Sequence, residues 1–170
     1  IQVDQHNAIQ RALYKLRDTG YRRIGLIAMN EPLAERTQLA SYPRCMKELG
    51  LKYRRTVPLP LRPAAHLDEL RRMLMTKPRP QAVYVGDDIL LRGVVKLLER
   101  LECRPGKELA VITRGSYGVP LPAGYDWSVM EFNPAQMGAH LMDVLLRKIT
   151  HAGEPLCSIV HRPAWHPGTT

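Results

Sequence analysis

Two adjacent carboxylates, Asp87 and Asp88, close the apolar run Val83-Tyr84-Val85-Gly86, and a helical pattern starts directly after them. Acidic side chains where a strand hands over to a helix are a common way for α/β folds to present ligand-binding groups. The same place suits capping: Asp88 is positioned to accept from orphan N–H groups and to oppose the helix dipole. Neighbouring residues project differently, so the pair is badly arranged for joint acid–base work. The six histidines, His6, His66, His140, His151, His161 and His166, do not cluster with cysteines or acids at metal-ligand spacing. Cys45, Cys103 and Cys157 are odd in number and far apart, which argues against a disulfide framework and for a reducing, cytoplasmic setting. No GxGxxG, Walker loop, GxSxG elbow or HExxH occurs. These observations point away from an enzyme and from a metal or cofactor.

The elements that position these groups alternate. Residues 4–19 read as a helix with Ile9, Leu13 and Leu16 on one face, and Gly20 stops it. Residues 23–29 form a short apolar run suited to a buried strand, and a second helix follows over 33–49. A weaker strand over 51–59, a proline-rich turn and a helix over 65–76 come next. The strand 82–86 leads into a helix over 88–102, then a strand over 108–113 and a loop over 117–125. A short extended piece, 127–132, precedes a strong helix over 135–150, started by Asn133-Pro134. Residues 158–161 are a last candidate strand, and the tail from Pro163 reads as loop. Strands and helices alternating at crossover spacing predict a doubly wound α/β fold, with a mostly parallel sheet and helices on both faces.

With 170 residues, 45% apolar and 24% charged, the chain fits one soluble globular domain. No apolar run approaches the ~20 residues that span a bilayer, so no membrane association is expected. The chain opens on Ile1 rather than on a methionine, which suggests a fragment or a processed chain. The net charge of +9 invites a nucleic-acid reading, but the basic residues are scattered in pairs such as Arg22-Arg23 and Arg71-Arg72. No helix-turn-helix, zinc finger or aromatic RNA motif accompanies them, and charge alone gives only non-specific affinity.

In such folds the C-terminal ends of the strands line one ligand crevice. That rule gathers Asn30 and Glu31, Leu61 and Arg62, Asp87 and Asp88, and Arg114 to Ser116: a polar cluster of mixed sign suited to a small polar ligand. The apolar arc of helix 88–102 (Leu90, Val94, Leu97, Leu98 and Leu101, widened by Leu91 and Val95) is broader than the ~100° stripe a sheet covers. Either part of it faces a partner subunit, or the helix is deeply buried.

A series of short matches runs through the chain in order: Gly20-Tyr21-Arg22-Arg23-Ile24, Ser41-Tyr42, Leu49-Gly50-Leu51, Pro80-Gln81-Ala82-Val83, Asp87-Asp88, Leu109-Ala110-Val111-Ile112, Met137-Gly138 and Val160-His161-Arg162. Together they resemble the C-terminal half of the effector-binding core of LacI/GalR-type transcription regulators. The resemblance implies a periplasmic-binding-protein-like type I fold, with residues 1–130 as the C-terminal effector-binding subdomain. It implies that residues 131–162 cross back to an N-terminal subdomain, and it leaves 163–170 as a tail. It also implies a small-molecule, sugar-like effector in the cleft between subdomains, DNA contacted through a domain outside this chain, and a homodimer formed partly through helix 88–102.

Carried over by position, the ligand-binding set is Asn30, Gln38, Leu61, Asp87, Gly115 and Ser116. Gln38 stands where the family usually has a sugar-gripping Arg, and it lacks that residue's rigid donor fork. Asp87 stands where a ligand-facing Asn is usual; the change removes two donors and adds charge. Gly115-Ser116 replaces the usual acidic residue, so an atypical effector is expected. Asp88 keeps the capping role, and Asp87→Ala is expected to abolish effector binding while leaving folding largely unchanged. The alternative reading is a solute-binding protein of a sugar transporter, which shares the fold.

Overall fold

The computed structural model describes residues 1–61, 67–151, 155 and 158–170. Arg62, His66 and Cys157 lie outside the described residues. The short strand β1 (Gln2–Val3) leads to helix α1 (Gln5–Asp18), capped by Asp4, and then to strand β2 (Ile24–Met29). The second helical region has three parts: α2 (Pro32–Ala34), a π-helical stretch (Glu35–Leu39) and α3 (Ala40–Glu48). Next come β3 (Thr56–Leu59), α4 (Leu67–Met75), β4 (Ala82–Val85), α5 (Asp88–Arg100) and β5 (Ala110–Ser116). The chain ends with β6 (Ser128–Phe132), α6 (Pro134–Thr150), β7 (Val160–His161) and β8 (Ala164–His166).

One six-stranded sheet runs in the order β3-β2-β4-β5-β6-β8. Its five strands from β3 to β6 are parallel, and β8 is antiparallel to β6. The two-residue period of the pleat sorts the side chains onto two faces. Leu26, Tyr84, Ile112 and Met130 pack with α1 and α3, whereas Val83, Val85, Val111 and Val129 pack with α4 and α5. Helices thus cover both faces of the doubly wound sheet. None of the described helices is long and apolar enough to cross a membrane.

Three expectations change. The broad arc of α5 is satisfied within the chain: Leu90, Leu91, Val94, Val95, Leu97 and Leu98 are all buried, in a cluster that also takes in α4 and the side chains of Leu121, Tyr125 and Trp127. The arc is therefore wide because α5 is covered on several sides, and it leaves no apolar stripe for a partner. The segment from Pro163 is not a loop: β8 pairs with β6, with Met130 opposite Trp165. The strand expected over 158–161 is only two residues long and pairs with β1, Val3 opposite His161, outside the main sheet.

By contrast, α6 has no buried residue. Its Leu141, Met142, Leu145, Leu146 and Ile149 are all exposed, Ile149 by 69%. The C-terminal residues fasten themselves between β5 and β6. The Ser128 N–H donates to Thr170 Oγ1 at 2.9 Å, Thr170 Oγ1 donates to the Val111 carbonyl at 3.0 Å, and Ser128 Oγ donates to the Thr170 carbonyl at 3.1 Å. Replacing Thr170 by Val removes two of these bonds and leaves buried groups unmatched. It is expected to lower stability by about 1–3 kcal/mol, measured by urea unfolding.

Candidate functional site at the strand ends

From β2 the chain moves outward to β3 and returns on the other side of β2 as β4, so the strand order reverses between β2 and β4. In open α/β sheets ligands bind at such a point, above the C-terminal strand ends. Gln38, in the π-helical stretch that follows β2, reaches over to the end of β4. Its Nε2 donates to the Gly86 carbonyl at 2.9 Å, and its side chain is buried. A Cβ on Gly86 would stand 2.1 Å from Gln38 Oε1, so residue 86 has to be glycine for the amide to lie there. Because the Gly86 carbonyl can only accept, the amide orientation is fixed, and Oε1 remains buried without a partner.

The carboxylate of Asp87 is the centre of the site. Its Oδ1 accepts from the Ile89 N–H at 3.1 Å, and its Oδ2 accepts from Arg114 Nη1 at 2.5 Å. The two side chains are 9% and 22% exposed, so this ion pair is largely removed from water. Burial pushes the Asp87 carboxyl above the usual carboxylate range. The Ile89 N–H and the Arg114 guanidinium oppose that push, and Asp88 adds to it. The Arg114 guanidinium lies over the Phe132 ring, 5.5 Å from its centroid, and its Nε is buried without a partner. Tyr84 Oη and Asp88 Oδ2 are likewise buried and unmatched, and burial raises the Tyr84 phenol. Unsatisfied buried polar atoms are uncommon, and here four of them lie along the ends of β4 and β5 and the segments beside them.

The capping roles are the reverse of those expected. Asp87 has extended backbone, φ −159° and ψ 142°, and is the N-cap; Asp88 is already the first helical residue. The reason is that strand geometry carries on through Gly86 and Asp87 before the chain turns. Asp87→Ala therefore removes a cap and strands a guanidinium, and folding does not survive it unchanged.

Of the other expected residues, Asn30 is exposed just beyond β2, where its N–H donates to the Leu59 carbonyl at 2.7 Å. Leu61 is 56% exposed past β3. Gly115 and Ser116 do not follow β5 but belong to it, paired with Glu131 and Phe132. Gly115 is buried facing the core, since a Cβ there would meet Val129 Cγ1 at 2.6 Å, and Ser116 is half-buried. The structure thus joins Gln38, Gly86 and Asp87 to Arg114. Among the described residues no side-chain hydrogen bond ties Asn30 or Ser116 to them. Arg114 is absent from the set carried over by position. Its signal was a lone cation at the end of the apolar run Ala110-Val111-Ile112-Thr113, one strand away from the paired acids.

The model of the periplasmic binding protein-like domain matches residues 13–170. The chain belongs to that family. Its fold is shared with a LacI family transcriptional regulator from Bifidobacterium animalis subsp. lactis DSM 10140, at 19% identity and a TM-score of 0.84, covering 98% of this chain and 61% of that one. A LacI transcriptional regulator from a Rhodococcus species gives 20% identity and a TM-score of 0.83, covering 97% and 61%. The transcriptional regulator CelR in complex with cellobiose gives 19% and 0.80, covering 98% and 52%. The chain therefore spans less than two-thirds of the length of these relatives. No curated protein matches it in sequence.

For this periplasmic binding protein-like domain, the ion pair at the strand ends makes a quantitative expectation. Asp87→Ala or Arg114→Ala alone leaves a buried charge unmatched and is expected to destabilise by roughly 3–5 kcal/mol. The double variant should lose clearly less than the sum of the two. A thermodynamic cycle built from urea unfolding of all four proteins measures the difference.

Proposed function

We propose that this chain is the larger part of the effector-sensing core of a LacI-type transcription regulator, acting in the cytoplasm and catalysing no reaction. The observation that carries this reading is the polar constellation of Gln38, Asp87 and Arg114 at the switch point, in a fold shared with LacI-type regulators. Residues 1–130 form one wall of the cleft. Asn30 and Leu61 line its rim, Gln38 and the Asp87–Arg114 pair its centre, and Gly115 and Ser116 its flank. A small polar ligand, sugar-like or atypical, enters there. Because Arg114 neutralises Asp87, the centre offers hydrogen-bonding groups rather than a bare negative charge, which suits a neutral ligand.

Residues 131–162 cross to a second subdomain, and the exposed apolar face of α6 packs on it. Ligand closes the cleft, favours one arrangement of a dimer and so alters the grip of attached DNA-binding domains. With the arc of α5 buried, the homodimer contact falls on what α5 leaves outside. That surface is Ile89, together with Tyr117 and Val119 of the loop that Arg92 holds through the Pro120 carbonyl at 2.9 Å. The family's description supports a second reading, a solute-binding protein that hands a sugar to a transporter.

One experiment separates the two. The full-length protein is screened by thermal shift against neutral mono- and disaccharides, and its affinity for its own upstream DNA is measured with and without any hit. The regulator reading predicts DNA binding that changes at least roughly fivefold with the sugar, the low end of ordinary allosteric coupling. It also predicts that Asp87→Asn, which keeps a capping side chain, weakens the sugar effect. A sugar that binds tightly to a protein with no affinity for DNA would overturn the regulator reading in favour of the transporter one.

A further inference from the structure

Strands β2, β3, β4 and β5 are parallel, so all four begin at the edge of the sheet opposite the Asp87–Arg114 pair. Leu26 lies opposite Thr56, Ile24 opposite Ala82, and Ala82 opposite Ala110. Basic residues that are scattered along the sequence meet at this edge. Arg22 and Arg23 lead into β2, Arg54 and Arg55 into β3, and Lys77 and Arg79 into β4. The three lead-in segments, 19–23, 49–55 and 76–81, hold no acidic residue. Positive charge is thus gathered at the end of the sheet away from the candidate effector site.

A cavity of about 500 Å³ lies at this end, between the starts of β2, β4 and β5 and the C-terminal ends of α4 and α5. Small-molecule sites are of that size, ~300–1,000 Å³. Leu74, Leu101, Leu109 and Ala110 give it an apolar wall. Its polar lining is rich in donors. Gln81 Oε1 accepts from the N–H groups of Arg22 and Arg23, each at 3.0 Å, which fixes the amide and leaves Nε2 as a donor. Arg23 Nε donates to the Arg79 carbonyl at 2.7 Å, which steadies the guanidinium and leaves its two terminal nitrogens unused. Among the described residues, the side chains of Arg79 and Lys107 enter no hydrogen bond or ion pair. Of the lining acids, Glu108 is taken by Arg104, whose N–H donates to it at 2.8 Å and whose Nη2 donates at 3.2 Å. Glu102 is then one carboxylate against three cations. Burial raises the Cys103 thiol above its usual range, so it stays neutral and adds no charge.

We infer that this cavity is a second ligand site, which takes a small organic anion. The carboxylate or phosphate of that anion sits among Arg23, Arg79 and Lys107, and its apolar body lies against Leu74 and Leu109. Three cations around one apolar-walled hollow suit a compact anion better than a nucleic-acid strand, whose repeated phosphates call for cations set out in a row. No surface that the regulator reading uses covers the hollow. The effector site, the contact at Ile89, Tyr117 and Val119, and the start of α6 all lie at the C-terminal strand ends.

Calorimetric titration of the full-length protein with phenyl phosphate, benzoate and neutral benzamide tests this. At least one of the two anions should bind with a dissociation constant on the order of 1 mM or tighter, and benzamide roughly tenfold more weakly or not at all. The stronger of the two anions shows which group the cations prefer. Arg79 is exposed and only its backbone carbonyl is engaged, so Arg79→Gln should leave urea unfolding unchanged. The same variant should weaken anion binding at least roughly tenfold. Arg54→Gln, at the same end of the sheet but outside the cavity, should change binding less than about twofold. Failure of both anions to bind, benzamide binding as tightly as they do, or anion binding that survives Arg79→Gln would overturn the inference. An equal loss in Arg54→Gln would also overturn it, in favour of a diffuse basic surface.

Discussion

The Asp87–Arg114 ion pair is the constraint around which the strand ends are arranged. Asp87 must cap α5 with one oxygen and meet a guanidinium with the other, so β4 has to stay extended through Gly86 before the helix turns. Arg114 has to lie on the same end of the sheet, and β5 supplies this by running beyond the end of β4: Val85 pairs with Thr113, and Arg114 is the next residue. Phe132, at the end of β6, gives the guanidinium an aromatic surface in place of lost hydration. Residues from three neighbouring strands and the start of α5 thus meet at one interaction.

That interaction also decides what the crevice presents. A lone Asp87 would be a negative charge in a poorly hydrated place, and burial alone would favour its neutral form. With Arg114 beside it, the carboxylate is matched and the pair becomes a dipolar, hydrogen-bonding floor. Gln38 adds an amide that lies against Gly86, where any larger side chain would push it aside. Among the described residues, four of the buried side-chain atoms without a partner, Gln38 Oε1, Tyr84 Oη, Asp88 Oδ2 and Arg114 Nε, lie close by.

The fold was legible in the sequence because its signal is periodic. Val83 and Val85 alternate with Ala82 and Tyr84, and Leu90, Val94, Leu97 and Leu98 repeat at helical spacing, so strands and helices declare themselves locally. The site was half legible. Asp87 stood out by type and position, and Gln38 only through the family resemblance. Their roles did not, because which of two adjacent acids caps a helix depends on where the backbone turns. Arg114 was gathered at the strand ends but its pairing with Asp87 was not seen, for a similar reason: its partner is 27 residues away and is met only through the strand register. The arc of α5 misled, since sequence shows how wide an apolar surface is but not how many elements cover it. The tail misled because β8 has only three residues, too few for a period.

If the pair is the floor of the ligand site, ligand must be felt first at the Arg114 guanidinium. The most direct measurement is nitrogen-15 NMR of the arginine Nε–H groups in the full-length protein, titrated with a neutral sugar that binds it. The account predicts that the Arg114 signal, assigned by its disappearance in Arg114→Lys, shifts most among the arginines as the sugar saturates. Saturation with the Arg114 signal unmoved, while arginines away from the strand ends respond, would contradict it.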